Sequence, residues 1–549
     1  MRNRLKILGA AIGSCVHVAG LLNFLELAGK EGYITENLGG AVPIRKFVDA
    51  IIEVDPDIVA LSYRLDPKAL EELLKDFKEL LEKNNLLDKR YIFGGTVETA
   101  RVARKFDFIE KVFDGTEEIE DVVMFLRSEE RNLRKSEKGE RWPQKLYDRI
   151  EYKKPYPLIR HHIGLPSLEE TIEHIKILAD SELLDVISIA PDQNCQQYFF
   201  EPEKMDPKQD GAGGAPIRSK EDFERIYEAS RRGNYPLLRC YSGTRNLVEF
   251  SKILKETINN AWAAIPLFWY SDLDRRSDRP LLEAIKENQK AIKWNAENDV
   301  PVEINDAHQW ALRYAHDALE VAISYIAAYN AKHLKVKDYV MQYMLSTPPR
   351  ISPAMDIAKA LAKMEIVKKL EDKNFRIIRM IRTGLLSFPA DPNAAMGQLV
   401  STMFYGAYLR PHIVHVVAYC EAMHRATSKE IIESVKMVKR ALNIAREGLP
   451  DFSSDKKIEK RKDILIEEAS LIIEAIKKIG NGKGESLLDG DILHAAVKLG
   501  ILDAPGLKGF SVANGKIKTA VIDGANVVVD EDGNVVSEKK RLKDLGIKL

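Results

Sequence analysis

From residue 5 to about 127, short apolar runs at 5–12, 33–38, 58–62, 91–93 and 109–113 alternate with helix-length amphipathic stretches. Apolar runs of this kind are strands buried on both faces, and joining them by helices predicts a parallel, doubly wound sheet. Five such units predict the flavodoxin-like (Rossmann-like) variety of α/β fold. The stretch 128–150 is densely charged and predicts a solvated linker or surface helix. After Pro155-Tyr156-Pro157, apolar runs at 186–190, 237–240, 265–269, 302–304 and 339–345 alternate with helical segments to about residue 425. This predicts a (β/α)8 TIM-barrel-like region, with fewer clear strands than the eight a closed barrel requires. Residues 427–480 read as long charged helices. Beyond Gly482, the pairs Asp523-Gly524 and Asp532-Gly533 between β-branched runs predict hairpins in a small C-terminal α+β extension. The expected domains are 1–130, a charged linker at 131–154, a barrel at 155–425 and a C-terminal region at 426–549.

Composition narrows the function. A chain of 549 residues is too long for one core and can bury a large ligand. Lys plus Arg and Asp plus Glu both number 83, so charge predicts neither nucleic acid nor an anionic membrane as partner. The four cysteines, Cys15, Cys195, Cys240 and Cys420, form no C-x-x-C pair, which predicts a reducing, cytoplasmic setting and no thiolate zinc site. Arg2, Arg4 and Lys6 before an apolar stretch at 8–27 have the format of a signal peptide. His17, Asn23 and Glu26 interrupt that stretch, however, and Leu21, Leu22, Leu25 and Ala28 follow helical spacing, so a strand and a helix are expected there. No other segment approaches the roughly 20 apolar residues of a membrane helix. A homodimer is expected only from the prevalence of twofold assemblies.

The first strand ends near Ile12, which puts Gly13-Ser14-Cys15-Val16-His17-Val18-Ala19-Gly20 on the loop at the carboxyl edge of the sheet. Ligands of open α/β sheets bind at that edge. Gly39-Gly40, Ser62 and Gly94-Gly95 fall after the second, third and fourth strands. Four successive loops of small residues leave room for something large, and glycine lets a ligand approach the backbone.

Here the sequence resembles the cobalamin-binding domain of mutases and methionine synthase. That domain carries Asp-x-His-x-x-Gly, then Ser-x-Leu, then Gly-Gly on these loops. His17 and Gly20 match the first motif, Ser62 in Ser62-Tyr63-Arg64 the second, and Gly94-Gly95 the third. The resemblance implies cobalamin as cofactor and His17 as the lower ligand to cobalt. The cofactor's detached nucleotide tail would lie in a cleft floored by Ser62, Gly94 and Gly95, and Cys15, Gly20, Gly39, Gly40 and Tyr63 complete the expected cofactor-binding set. Cys15 stands where the family has the aspartate that orients the histidine. A thiol is a weak hydrogen-bond partner, and losing such a second partner costs about 10–100-fold in affinity or activity.

The barrel region is similar to the large subunit of glutamate mutase, an adenosylcobalamin-dependent carbon-skeleton isomerase. The similarity rests on Arg239, Trp269-Tyr270, His308-Gln309-Trp310 and the closing segment from Gly482 through Asp503-Ala504-Pro505 to Asp523. It implies a radical isomerase acting on a small molecule, with a carboxylic acid as the class Arg239 would hold bidentately. Tyr270 would pack beside or hydrogen-bond that substrate, and His308 would donate to a carbonyl. Asp192-Gln193-Asn194, Asn305 and Gln342-Tyr343 fall at the same barrel end. The family's active-site glutamate corresponds to Ala263-Ala264, and its ribose-binding lysine and glutamate to positions near Ser346 and Arg350, so the substrate is expected to differ from glutamate. The alternatives are a methionine synthase-like methyltransferase, which carries a helical cap before the cobalamin domain, and a corrinoid carrier or sensor. His161-His162, and His412 with His415, read as structural, with no third ligand for a metal.

Overall fold

The computed structural model describes residues 5–117, 121–123, 125–126, 142–482 and 484–547. The chain divides into two compact units, Met1–Glu137 and Lys138–Leu549. In the first, strands β1 (Lys6–Ala11), β2 (Ile34–Asn37), β3 (Ile58–Tyr63), β4 (Arg90–Gly95) and β5 (Ile109–Phe113) form a parallel sheet in the order β2-β1-β3-β4-β5. This is the flavodoxin-like order, and its topological switch point lies between β1 and β3. The five predicted apolar runs are these five strands. The apolar stretch at 8–27 is β1 followed by helix Ala19–Lys30, which buries Leu21, Leu25 and Ala28. Among the described residues, no helix is long and apolar enough to cross a membrane.

In the second unit, β6 (Leu158–Ile163), β7 (Val186–Ile189), β8 (Leu237–Cys240), β9 (Ala263–Ala264), β10 (Val302–Glu303), β11 (Asp338–Leu345), β12 (Arg376–Thr383) and β13 (Ile413–His415) form one parallel sheet. Each strand pairs with the next in sequence, β13 returns to β6, and a bridge between Tyr241 and Ala264 links β8 to β9. The predicted barrel therefore has all eight strands. Three of them, β6, β12 and β13, were not among the apolar runs, and the run at 265–269 lies just past the two-residue β9. Much of the charged stretch predicted as a linker lies outside the described residues. Its described end contains helix Leu146–Lys153, whose Leu146 and Ile150 join Leu158, Val186, Leu237, Trp262, Val340, Ile378 and Ile413 in an apolar layer at the amino-terminal end of the strands. Arg149 on that helix is fully buried and donates to the carbonyls of Pro143, Asn234 and Tyr235. Burial lowers its pKa to about 10.

Helices Ser428–Glu447 and Lys456–Ile479 cover the outside of the barrel. The hairpin of β14 (Thr519–Ile522) and β15 (Ala525–Val528) turns at Asp523-Gly524, both left-handed, as the tight turn demands.

Candidate functional site

At the carboxyl edge of the first sheet, the β1 and β3 loops meet at the switch point. Ala11 pairs with Ser62, and Ser62 and Tyr63 pair with Gly94 and Gly95. The β2 loop is laced to the β1 loop by Ala41 N to Cys15 O at 2.8 Å and Gly13 N to Val42 O at 2.9 Å. That lacing explains Gly40, where a Cβ would come within 3.1 Å of Val16 Cα. Cys15 is fully buried, while His17 is exposed two residues on, with its Nδ1 3.9 Å from the Cys15 sulfur. If the ring proton sits on Nδ1, that contact leaves Nε2 free to bind a metal.

The paired glycines serve different ends. A side chain on Gly95 would collide with Tyr63 O at 2.6 Å, so Gly95 is required by packing. A Cβ on Gly94 would meet nothing within 4 Å, so the space in front of it, beside Ser62, is an open cradle. Val16 and Leu65 on two of the surrounding loops, and Val97 at the start of the helix after β4, expose 66%, 37% and 39% of their surface. An exposed imidazole, an open cradle at a glycine and a surrounding apolar surface fit a large, partly apolar ligand that carries its own metal. Among the described residues, no group of three or more His, Cys, Asp and Glu side chains could hold a metal ion. An imidazole here would therefore be a single protein ligand.

The barrel interior is the second candidate site. TIM barrels ordinarily fill their interior with branched apolar side chains. Above its apolar floor, this one is polar. Arg160, Arg239 and Glu303 are each 1% exposed. Glu303 Oε2 accepts from Trp262 Nε1 at 2.8 Å and Arg239 Nη2 at 3.2 Å, with Arg160 Nη1 at 4.0 Å. Arg160 also donates to Ser188 Oγ at 2.7 Å and to His162 Nε2 at 2.8 Å. Burial first, and then Arg239, push the Arg160 pKa well below its usual value. Arg382, half-buried, lies within electrostatic reach of Tyr241, Glu421, Glu303 and Arg239 and makes no hydrogen bond or ion pair among the described residues. Arg160 and Arg239 therefore share the buried Glu303 carboxylate, Arg382 stands nearby facing Glu421, and three guanidiniums against two carboxylates leave excess positive charge.

Several polar atoms there have no protein partner: Arg239 Nε, Asn305 Oδ1, Arg382 Nε and His415 Nδ1. Each such group costs about 1–3 kcal/mol relative to a satisfied one.

Of the residues predicted for catalysis, Arg239 lies in this interior. Both its terminal nitrogens already donate, to His162 at 3.2 Å and to Glu303, and its guanidinium stacks over Tyr241. His308 is buried beside Asn305 and Gln342 around a small cavity of about 10 Å³. Its Nδ1 accepts from Gln342 Nε2 at 2.5 Å, leaving the proton on Nε2, and burial holds its pKa well below the usual histidine range. Tyr270 is buried with left-handed backbone, and burial raises its hydroxyl to about 12. Gln342 takes part in this cluster, but Tyr343 lies on the outer side of β11, in a separate cavity of about 520 Å³ with Arg379. Asp192 and Asn194 are structural: Asp192 pairs with Arg218 at 2.6 Å, and Asn194 bonds Asp206 and Asp210. Ser346 bonds Thr402 and Tyr405, and the nearby buried Lys359 and Lys363 are held by Glu320.

Sequence reasoning missed Glu303, Arg160, Arg382 and the meeting of His162 with His415. Beside the alanines at 263 and 264, Glu303 pairs with Ala264 in register and supplies a carboxylate from the neighbouring strand. His161 and His412 are structural, accepting from the Ala418 and Arg379 backbone N–H groups, whereas His162 and His415 face each other at 3.0 Å.

Residues 317–546 match the family model of the methylaspartate mutase E chain. No curated protein matches the chain. Among solved structures, a novel cobalamin-binding protein from Desulfitobacterium hafniense DCB-2 shares 25% identity over 24% of this chain and 59% of its own, with a TM-score of 0.20. A truncated 3-deoxy-D-arabino-heptulosonate 7-phosphate synthase from Thermotoga maritima shares 10% identity over 54% of this chain and 88% of its own, with a TM-score of 0.31. The cobalamin-dependent S-adenosylmethionine radical enzyme OxsB shares 9% identity over 88% of this chain and 69% of its own, with a TM-score of 0.18. The chain thus spans about 59% of the first of these relatives.

Proposed function

We propose that the chain binds cobalamin at the carboxyl edge of its first sheet and isomerises the carbon skeleton of a small carboxylic acid held inside the barrel, with adenosylcobalamin as the cofactor. The observation that carries this reading is the buried, positively charged barrel interior with unpaired donors, in a chain whose residues 317–546 match a mutase subunit family. Adenosylcobalamin supplies radical chemistry through its weak cobalt–carbon bond. His17 would hold the cofactor's metal, and Ser62 and Gly94 would receive its nucleotide tail. Inside the barrel, Arg239 and its neighbours stabilise the anionic substrate, and His308 donates from Nε2 to a carbonyl oxygen. Tyr270 packs over the substrate. The apolar floor sealed by Leu146 and Ile150 keeps water from entering at the amino-terminal end.

The test is titration of the full chain and of His17→Ala with adenosyl-, methyl- and hydroxocobalamin, followed by absorbance. The adenosyl complex is then mixed with a panel of small mono- and dicarboxylates. The expected result is preferential binding of the adenosyl form, weakened in the variant, with a spectral response to one acid. A preference for methylcobalamin, with methyl loss to a thiol, would favour methyl transfer. Binding of every form with no response to any acid would favour a carrier.

A further inference from the structure

His162 and His415 are joined in a chain whose proton positions follow from chemistry alone. A guanidinium can only donate. Arg160 Nη2 and Arg239 Nη1 both point at His162 Nε2, at 2.8 and 3.2 Å, so that nitrogen is the acceptor and carries no proton. The neutral ring then bears its proton on Nδ1 and donates it across 3.0 Å to His415 Nε2. His415 in turn must carry its own proton on Nδ1, and that atom is buried with no partner. His415 is 1% exposed, and the half-buried His162 stacks on Tyr241 at 5.0 Å. Burial and the surrounding arginines hold both rings neutral. Strand register places Arg382 beside His415, and its guanidinium, within electrostatic reach of the Glu421 carboxylate, makes no hydrogen bond or ion pair among the described residues. An N–H donor with a fixed direction and a free guanidinium thus sit side by side on β12 and β13.

We propose that His415 Nδ1–H and Arg382 together receive a carboxylate oxygen of the substrate, and that His162 is a positioning residue which locks His415 in the donating tautomer. This pair is distinct from Arg239, whose terminal nitrogens serve Glu303 and His162. The inference rests on the reading that the barrel interior holds an anionic substrate. Its first part, however, the tautomer chain, can be measured without cofactor or turnover.

The experiment is long-range proton–nitrogen correlation on the full chain labelled with 15N-histidine, with assignments from His162→Gln and His415→Gln. Succinate serves as the probe anion. In the wild type, both rings are expected as neutral Nδ1–H tautomers, and succinate is expected to shift the His415 Nδ1 resonance. Arg382→Gln should weaken the succinate response roughly tenfold. His162→Gln should convert His415 wholly or partly to the Nε2–H form and weaken the response similarly, while the melting curve certifies a folded barrel. Finding His415 as the Nε2–H tautomer in the wild type would overturn the relay. A His415 resonance unmoved by succinate at saturating solubility, or a response unchanged in Arg382→Gln, would overturn the anion pair. If the tautomers and the succinate response hold but no cobalamin binds, the functional reading fails and this inference stands. If cobalamin and an acid substrate are processed while His415 stays silent, the reverse holds.

Discussion

Replacing Glu303 with glutamine removes the one carboxylate that the interior guanidiniums share. In the native barrel its Oε2 accepts from Arg239 and Trp262, and Arg160 lies at 4.0 Å, all three ionic partners being 1% exposed. Deleting one member of a buried ion pair costs about 3–5 kcal/mol, because the surviving charge is left desolvated and uncompensated. An amide can keep the Trp262 bond through its oxygen, so the loss isolates the charge. The unit from Lys138 to Leu549 is roughly 400 residues, for which the unfolding entropy is about 0.8 kcal/mol per kelvin. The expected drop in melting temperature is therefore about 4–6 °C. All five tryptophans, at 142, 262, 269, 294 and 310, lie in this unit, so selectively excited tryptophan fluorescence reports its unfolding. Trp262→Phe, which leaves the charges intact and removes one hydrogen bond, should cost less, about 1–3 kcal/mol. A Glu303→Gln protein that melts with the wild type would refute the claim that these arginines depend on Glu303 for their burial.

The barrel should also be acid-labile. His161, His162, His308, His316, His412 and His415 are all held below the usual histidine pKa by burial, with His161, His316 and His412 at about 4. Between pH 6.5 and about 4 the unfolded chain binds these protons and the folded one does not, so stability is full above 6.5 and falls as pH drops. Asp306 and Asp356, raised by burial to about 7 and about 6, act in the opposite sense, as do Asp272, Glu421, Glu468 and Asp503, whose carboxyls burial also raises, so the net fall is smaller than the histidines alone would give. Fluorescence-monitored urea unfolding at pH 7 and pH 5 checks this, and equal stability at both would contradict it. At the first sheet, Gly94→Leu should leave the unfolding curve by circular dichroism within about 1 kcal/mol of wild type while weakening cobalamin binding, because its Cβ meets open space. Gly95→Ala, which would press on Tyr63 O, should destabilise the fold itself. Cys15→Asp should restore a strong acceptor for His17 Nδ1 and tighten cobalamin binding about 10–100-fold, measured by absorbance titration.

Much of the architecture was legible because burial wrote it as apolar runs. The boundaries of the five strands of the first sheet follow the apolar runs to within a residue or two, even in β2, which is exposed throughout, and β5, which carries Glu110 and Lys111. The barrel was harder to read for a physical reason. Strands β6 (Leu-Ile-Arg-His-His-Ile), β12 (Arg-Ile-Ile-Arg-Met-Ile-Arg-Thr) and β13 (Ile-Val-His) place basic side chains inside, so the pattern that marks a buried strand is broken where the chemistry lies. Glu303 hid within a run read as apolar because its two strand-flanking neighbours are Val302 and Ile304. The candidate cofactor loops were found by their small residues, but the division of labour between Gly94 and Gly95 depends on backbone approach, which no sequence spacing records. The pairing of His162 with His415 joins positions 253 apart and became visible only with strand register.

Electron paramagnetic resonance of the full chain reconstituted with cob(II)alamin, prepared with and without 15N-histidine, tests cofactor binding at the first sheet most directly. The account predicts a superhyperfine pattern from a single axial nitrogen that changes from three lines to two on labelling, and its loss in His17→Ala. A pattern unaltered by the label, as from the cofactor's own benzimidazole nitrogen, would contradict it.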